Sequence, residues 1–155
     1  SMMSDGHVTC VHAEPPPELR TVVVIPDFQL KTQDARDALP DEVSHRDATF
    51  NVGRSSVLTA AMLQGDLDAV GAAMQDRMHQ PYRAALIPNY DAVTAAAIEA
   101  GALGVALSGA GPSLFAITKE ETSTVGEAMV RVWEQNGITA TVHELPVDLE
   151  GTVIE

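Results

Sequence analysis

The segment "SGAGPS", residues 108–113, lies between two apolar runs and could bring backbone amides to an anionic ligand. Pro112 has no amide hydrogen, so such contacts would come from Gly109, Ala110 and Gly111, whose small side chains let a ligand approach the backbone. Glycines between strands also commonly occupy turn positions with positive φ. Taken alone, this glycine loop (residues 108–113) is either a tight turn or an anion contact.

Two arginines and a threonine could bind a carboxylate. Thr32 and Arg36 lie four residues apart on a predicted helix, so their side chains project from the same face. Arg83 lies in "HQPYR", where Pro81 and Tyr82 stiffen a loop. Together the two arginines could grip one carboxylate through planar hydrogen bonds that lysine cannot reproduce. Each residue also has an interpretation without a ligand. Thr32 could be a helix cap, and Arg36 and Arg83 could be solvated surface cations.

The charge balance narrows the range of ligands. The chain has 22 acidic and 9 basic residues and a net charge of -13, and its only lysines are Lys31 and Lys119. Such a surface repels phosphate backbones and anionic lipid headgroups, so nucleic-acid and membrane partners are not expected. An anionic small molecule would have to be met by the few arginines, by the two lysines or by backbone amides.

Other chemistry has little support in the sequence. Cys10 is the single cysteine, so no internal disulfide or cysteine-based metal site is expected. The histidines are scattered without a metal-binding spacing, and His79, beside a proline turn, is interpreted as structural rather than catalytic. No nucleophile with an adjacent base is found. A catalytic site of the hydrolase type and a bound transition metal are therefore not expected.

The size and hydropathy indicate one domain. The chain has 155 residues, 45% of them hydrophobic, with no apolar run long enough for a membrane span and no signal-peptide pattern, so a cytoplasmic location is expected. Residues 1–6, "SMMSDG", resemble an expression-tag remnant or a non-native start. They are given no part in the predicted fold.

Local signals predict alternating strands and helices. Thr32 is predicted to cap the first helix, Ser44 with Asp47 the second, and Asp66 the third. Gly53, inside the second helix, favours close packing there over a ligand contact or a tolerated defect. The predicted strands cover residues 7–13, 20–26, the two runs flanking the glycine loop, and 138–146. The predicted helices cover residues 32–39, 45–64, 67–78, 89–100 and 121–136. This order predicts an α+β sandwich with helices on one face of the sheet.

Four ordered segments, "VVVIPDFQLKTQDAR", "DRMHQPYR", "LIP" and "GALGVALSGAGPS", resemble the C-terminal half of homoserine kinases, members of the GHMP small-molecule kinase superfamily. The resemblance covers roughly residues 8–145, and "HQPYR" is its most specific part. It implies a ferredoxin-like sandwich with an antiparallel-rich sheet. It also implies transfer of the γ-phosphoryl group of ATP, with Mg²⁺, to the side-chain hydroxyl of L-homoserine in threonine biosynthesis.

The resemblance also assigns residues. It implies that Thr32 and Arg36 lie near the amino-acid substrate and that Arg83 is a second arginine for the substrate carboxylate. It implies that the glycine loop supports the nucleotide phosphate loop through Ser108, Gly109, Ala110, Gly111 and Ser113. A further hypothesis keeps the superfamily but changes the substrate, as in mevalonate-type kinases. The segment "HQPYR" and the pair of Thr32 and Arg36 argue against it.

The chain departs from the superfamily in lacking the glycine/serine-rich segment "PxxxGLGSSAA", which holds ATP phosphates at a helix N-terminus. We therefore expect a C-terminal fragment that is inactive alone and contains no catalytic residue. Residues 7–26 would be strands joining a missing N-terminal kinase domain, and residues 27–155 the C-terminal domain. The expected partners are L-homoserine, that missing domain and, in a homodimer, a second copy.

A hypothesis from a different class keeps the fold without the reaction. A ferredoxin-like domain could bind an amino acid, or mediate dimerisation, without ATP. Binding of threonine without competition by homoserine would favour this regulatory alternative over the kinase.

Overall fold

The computed structural model describes residues 2–151. Six strands are present, β1 (Met2–Ser4), β2 (His7–Thr9), β3 (Arg20–Pro26), β4 (Ala102–Leu107), β5 (Leu114–Thr118) and β6 (Ala140–Leu145). The helices are α1 (Thr32–Asp37), α2 (His45–Gln64), α3 (Leu67–Ala73), α4 (Gln80–Ala84), α5 (Tyr90–Glu99) and α6 (Thr122–Gln135).

The main sheet is antiparallel and has the strand order β4-β5-β3-β6. Its strands and the helices α5 and α6 follow one another along the chain as β3, α5, β4, β5, α6, β6, which is the β-α-β-β-α-β order of ferredoxin-like folds. The glycine loop is the short connection between β4 and β5. The predicted α+β, ferredoxin-like sandwich is confirmed.

The larger core lies between one face of this sheet and the helices α5 and α6. Val22 and Val24 of β3 and Ala116 of β5 alternate with residues that point to the opposite face, and all three are buried. Trp133 of α6 is fully buried against them, and its indole N–H donates to the Pro88 carbonyl at 3.0 Å. Burial of these apolar side chains is the main stabilisation of the domain.

A second pair of helices lies on the other face of the sheet. Ile117 of β5 is buried there against Ala61 of α2 and Val70 of α3. The prediction placed helices on one face, which describes α5 and α6, whereas α2 and α3 cover part of the opposite face. At this contact Gly71 of α3 lies against the backbone of Leu103, and a Cβ on Gly104 would come within 2.6 Å of the Met74 sulfur. Glycines at both positions therefore let α3 approach the edge strand closely.

The N-terminal prediction is wrong in part. A strand over residues 7–13 is expected, but β2 ends at Thr9 and pairs with β1 in a separate two-stranded sheet. Residues 2–4, given no part in the predicted fold, form the other strand of this hairpin. The exposure of all six strand residues explains why the alternating pattern alone misplaces the strand.

Three helix predictions also need correction. Thr32 is the first residue of α1 rather than its cap, because Lys31 holds the cap position without a side-chain hydrogen bond. α3 ends at Ala73 instead of reaching residue 78, and α4 forms where a break is predicted. Pro81 is compatible with α4 because it lies in the first turn, where its missing N–H breaks no helical hydrogen bond.

The caps of α2 and α3 are confirmed. The Ser44 side chain accepts a hydrogen bond from the Asp47 amide, and the Asp66 side chain accepts one from the Ala69 amide, each at 3.0 Å. Gly65 ends α2 with a φ of 75°. The packing interpretation of Gly53 is wrong, since that residue is exposed and a Cβ there would meet no atom within 4 Å among the described residues.

Gly71 of α3 and Gly53 of α2 give opposite predictions. A Gly71→Ala substitution would force the Leu103 backbone away from α3, so we expect it to lower the free energy of unfolding by about 1–3 kcal/mol. The matched Gly53→Ala substitution adds the same methyl group in open space, and we expect it to raise stability by about 1 kcal/mol. Urea denaturation of the three proteins measures both effects. Equal stability of the two variants would contradict the close approach of α3 to β4.

Candidate functional site

Five of the eight site residues predicted from the sequence meet at one cavity of about 490 Å³. The cavity is bordered by three segments, which are α1, α4 with the residue before it, and the end of β4 with the glycine loop. Its lining residues are Thr32, Arg36, His79, Arg83, Leu107, Gly109 and Ala110. We refer to this space as the arginine cavity.

Arg83 connects the three segments by hydrogen bonds. Its Nε donates to the Ala35 carbonyl of α1 at 3.1 Å, and its Nη1 donates to the Gly109 carbonyl of the glycine loop at 3.3 Å. The same Nη1 lies 3.5 Å from Nδ1 of His79. The guanidinium is therefore fixed in place, and its Nη2 makes no hydrogen bond to any residue from 2 to 151.

Arg36 reaches the cavity from the exposed side of α1. Ala35, its neighbour, is completely buried and anchors the helix, which leaves Thr32 and Arg36 on the side facing the cavity. Within the described part of the chain, neither Arg36 nor Arg83 forms an ion pair with an acidic side chain. In a chain with a net charge of -13, two arginines without carboxylate partners border the same cavity.

The glycine loop is both a turn and a candidate contact surface. Gly109 and Gly111 have φ values of 63° and 83°, which satisfies the turn interpretation. The Ser108 amide donates to the Ser113 carbonyl at 2.9 Å and the Gly111 amide to the Ser108 carbonyl at 3.1 Å. The Gly111 amide, expected to be available to an anion, is therefore already paired.

Two amides of the loop remain candidates for a ligand. Of the loop residues, all of which the structure describes, Gly109 and Ala110 line the cavity, whereas Ser108, Gly111 and Ser113 do not. The Gly109 and Ala110 amides donate no hydrogen bond to a residue in the range 2–151. The contact surface is thus smaller than the sequence predicts and is centred on two residues.

His79 lines the cavity, and Asp76, which does not line it, holds the backbone of residues 78–80 in place; the sequence indicates neither relation. The Asp76 carboxylate accepts hydrogen bonds from the amides of Met78, His79 and Gln80 at 3.1, 2.8 and 2.6 Å. Burial raises the pKa of Asp76, but these donors, together with the Asn51 side chain, outweigh it and hold the pKa below its usual value. Asp76 is therefore ionised at neutral pH.

Gln80 links α4 to the strand that leads into the glycine loop. Its buried side chain accepts a hydrogen bond from the Leu107 amide at 3.0 Å and one from the Tyr90 hydroxyl at 3.4 Å. Burial, followed by the charges of Asp91 and Asp76, raises the pKa of Tyr90, so its hydroxyl stays protonated as a donor. The glutamine in "HQPYR" thus has a structural explanation that its sequence context does not indicate.

Residues 2–151 lack two further features. No helix in this range is long and apolar enough to cross a membrane. Within the same range, no three His, Cys, Asp or Glu side chains come together in a group that could hold a metal ion.

Known proteins are similar to this chain in sequence and in fold. The homoserine kinase of Moorella thermoacetica is 47% identical over 151 residues, which are 97% of this chain and 51% of that protein. The homoserine kinase of Halothermothrix orenii is 41% identical over 91% of this chain and 45% of its own length. The chain therefore spans about half the length of these relatives.

The comparison of structures agrees with that of the sequences. The crystal structure of homoserine kinase from Cytophaga hutchinsonii superposes with a TM-score of 0.88 at 34% identity, over 91% of this chain and 45% of that one. A family model described as "GHMP kinases C terminal" matches residues 58–135, which is half of the chain. These residues extend from α2 to the end of α6. The chain belongs to the GHMP kinase family and contains its C-terminal domain.

Proposed function

We propose that this chain is the C-terminal half of a homoserine kinase and supplies the carboxylate-binding side of its substrate site. The observation that carries the proposal is the convergence of Arg36, Arg83 and Thr32 on one cavity. Two guanidinium groups can hold one carboxylate through several charge-assisted hydrogen bonds, an arrangement that suits the carboxylate of L-homoserine. Thr32 adds a hydroxyl for a second polar group of the same ligand.

In this proposal, the Gly109 and Ala110 amides would bind the phosphates of the nucleotide. Backbone amides without partners are suitable donors to phosphate oxygens, so these two residues would contact the nucleotide phosphates. ATP with Mg²⁺ would supply the phosphoryl group when bound. The positioning of these phosphates would come chiefly from an N-terminal kinase domain, so we propose that the chain is inactive alone.

The remaining parts of the proposal follow from the family. We propose that residues 27–155 form the C-terminal kinase domain and that residues 7–26 join it to the N-terminal domain. Homoserine kinase activity would serve threonine biosynthesis in the cytoplasm. A homodimer would add a second copy of the chain as a partner.

Non-catalytic amino-acid binding remains the competing function, and one observation favours it. The arginine cavity is formed within this chain alone, so a ligand carboxylate would need no second domain to be held. Calorimetry of the chain with homoserine, threonine and ATP separates the two functions. Threonine binding that homoserine does not displace would support regulation instead of catalysis.

The kinase proposal predicts that this chain can replace its counterpart in an active relative. In a chimaera, residues 7–155 would replace the matching C-terminal half of the Moorella thermoacetica homoserine kinase, with which the chain shares 47% identity. We expect ADP release that depends on L-homoserine, because the chimaera combines both halves of the site. The unaltered relative is the positive control, and the chain alone is the negative control.

The chimaera must be shown to be folded before its activity is interpreted. Circular dichroism and a cooperative thermal transition would establish this. A folded chimaera that releases no ADP in the presence of homoserine would contradict the proposed function.

A substitution in the cavity tests the carboxylate role. Arg36→Ala in the chimaera should weaken homoserine binding by about 1.5–3 kcal/mol, because a charge-assisted contact to the carboxylate is lost. Arg36 is preferred to Arg83 for this test, since Arg83 also makes hydrogen bonds within the chain. Steady-state kinetics at varied homoserine concentration measures the effect.

The matched control is Arg131→Ala, which removes the same charge from the exposed side of α6, outside the cavity. We expect it to leave the homoserine KM unchanged. If both arginine variants shift KM equally, the effect is one of overall charge and Arg36 is not at the site.

A further inference from the structure

Among the acidic side chains of residues 2–151, that of Asp76 makes the most hydrogen bonds. Its side chain is 8% exposed, and one oxygen, Oδ2, accepts all three backbone amides of residues 78–80. The other oxygen, Oδ1, accepts the Asn51 side-chain amide at 2.5 Å and lies 3.9 Å from Nε2 of His79. A carboxylate supplies this number of acceptor positions, and a neutral side chain of the same size does not.

These contacts fix the residues that carry the arginine into the cavity. Residues 79 and 80 are the cap and first residue of α4, and the His79 carbonyl accepts the Arg83 amide at 3.2 Å. The orientation of α4 therefore follows from the position of residues 78–80. In this orientation of α4, Arg83 reaches the carbonyls of Ala35 and Gly109.

The side-chain amide of Asn51 can take only one orientation in this group of hydrogen bonds. Its Oδ1 accepts the Arg77 amide at 2.9 Å, so its nitrogen must face Asp76. Turning the amide over would break the hydrogen bond from Arg77. Position 76 must therefore present an acceptor to Asn51 and another acceptor to three backbone amides at the same time.

We propose that Asp76 is a positioning residue that holds His79 and Arg83 in place for a ligand carboxylate. It acts through its hydrogen bonds to Asn51 of α2 and to the backbone amides of residues 78–80. The ligand part of this inference rests on the proposed function, whereas the positioning of Arg83 does not. Asp76 itself does not line the arginine cavity. Its effect on binding passes through the backbone of α4.

The first test uses this chain as it is. In Asp76→Asn, the carboxamide nitrogen would face the Asn51 nitrogen, or else the three backbone amides, so one donor always meets another. We expect hydrogen exchange at the amides of His79 and Gln80 to speed up by about tenfold or more. The Nε–H signal of Arg83, which donates to Ala35, should also lose its protection. Two-dimensional NMR measures both.

Two further variants keep the test specific. Asp68→Asn removes the same charge and an exposed ion pair with Lys119, and should leave these signals unchanged. Asn51→Asp in the Asp76→Asn background restores the total charge and gives the new carboxamide an acceptor at position 51. That acceptor also serves the Arg77 amide, so we expect most of the protection of Arg83 to return. If Asp76→Asn alone fails to fold, the protection of Arg83 is measured in this double variant instead.

The second test measures the consequence for binding in the chimaera. Asp76→Asn should raise the homoserine KM about tenfold, the size of a lost or misaligned charge-assisted contact, while the KM for ATP stays unchanged. The double variant should lower the homoserine KM again. A merely structural defect would change both KM values or the amount of active enzyme, and rescue by the second substitution would not be selective.

The outcomes separate this inference from the proposed function. Unchanged protection of His79, Gln80 and Arg83 in a folded Asp76→Asn chain overturns the inference, whatever the chimaera does. Equal rises in the KM values for homoserine and ATP also overturn it. If the unsubstituted chimaera shows no homoserine-dependent activity, the proposed function fails, and the NMR result alone decides whether Asp76 positions Arg83.

Discussion

The arginine cavity depends on the hydrogen bonds of one guanidinium group. Arg83 donates to the carbonyls of Ala35 and Gly109, which are 48 and 26 residues away along the chain. These bonds join α1 and the glycine loop to α4, and no other side chain that lines the cavity in residues 2–151 makes hydrogen bonds to both segments. Because arginine has five donors, two of its bonds can maintain the architecture while others remain for a ligand.

Much of the fold could be predicted from the sequence because its signals are local. The β-branched run of β3 lies between a turn and Pro26, and the caps at Ser44 and Asp66 are read from neighbouring residues. The errors occur where distant contacts decide the structure. After α3 ends at Ala73, the amides of residues 77–80 bind the side chains of Asn51 and Asp76 instead of helix carbonyls. The position of α2 and α3 depends on the far face of the sheet.

The residue types of the candidate site could be selected from the sequence, whereas their proximity at one cavity is visible only in the structure. Arg36 and Arg83 were selected because cations are scarce, and both line the cavity. His79 was interpreted as structural, and it lines the same cavity. Asp76 could not be recognised in a chain with 22 acidic residues, since its distinction is a set of partners that includes Asn51, 25 positions away. The roles expected for Thr32, Arg36, Arg83 and the glycine loop remain predictions.

The hydrogen bonds of Arg83 and Gln80 also limit how the segments around the cavity can move relative to one another. α1, α4 and the glycine loop are linked side chain to backbone within this one domain, by hydrogen bonds that a neighbouring domain does not supply. These three segments can shift relative to one another only if at least one of these hydrogen bonds breaks. The backbones that carry Arg36 and Arg83 therefore keep their spacing while the bonds hold.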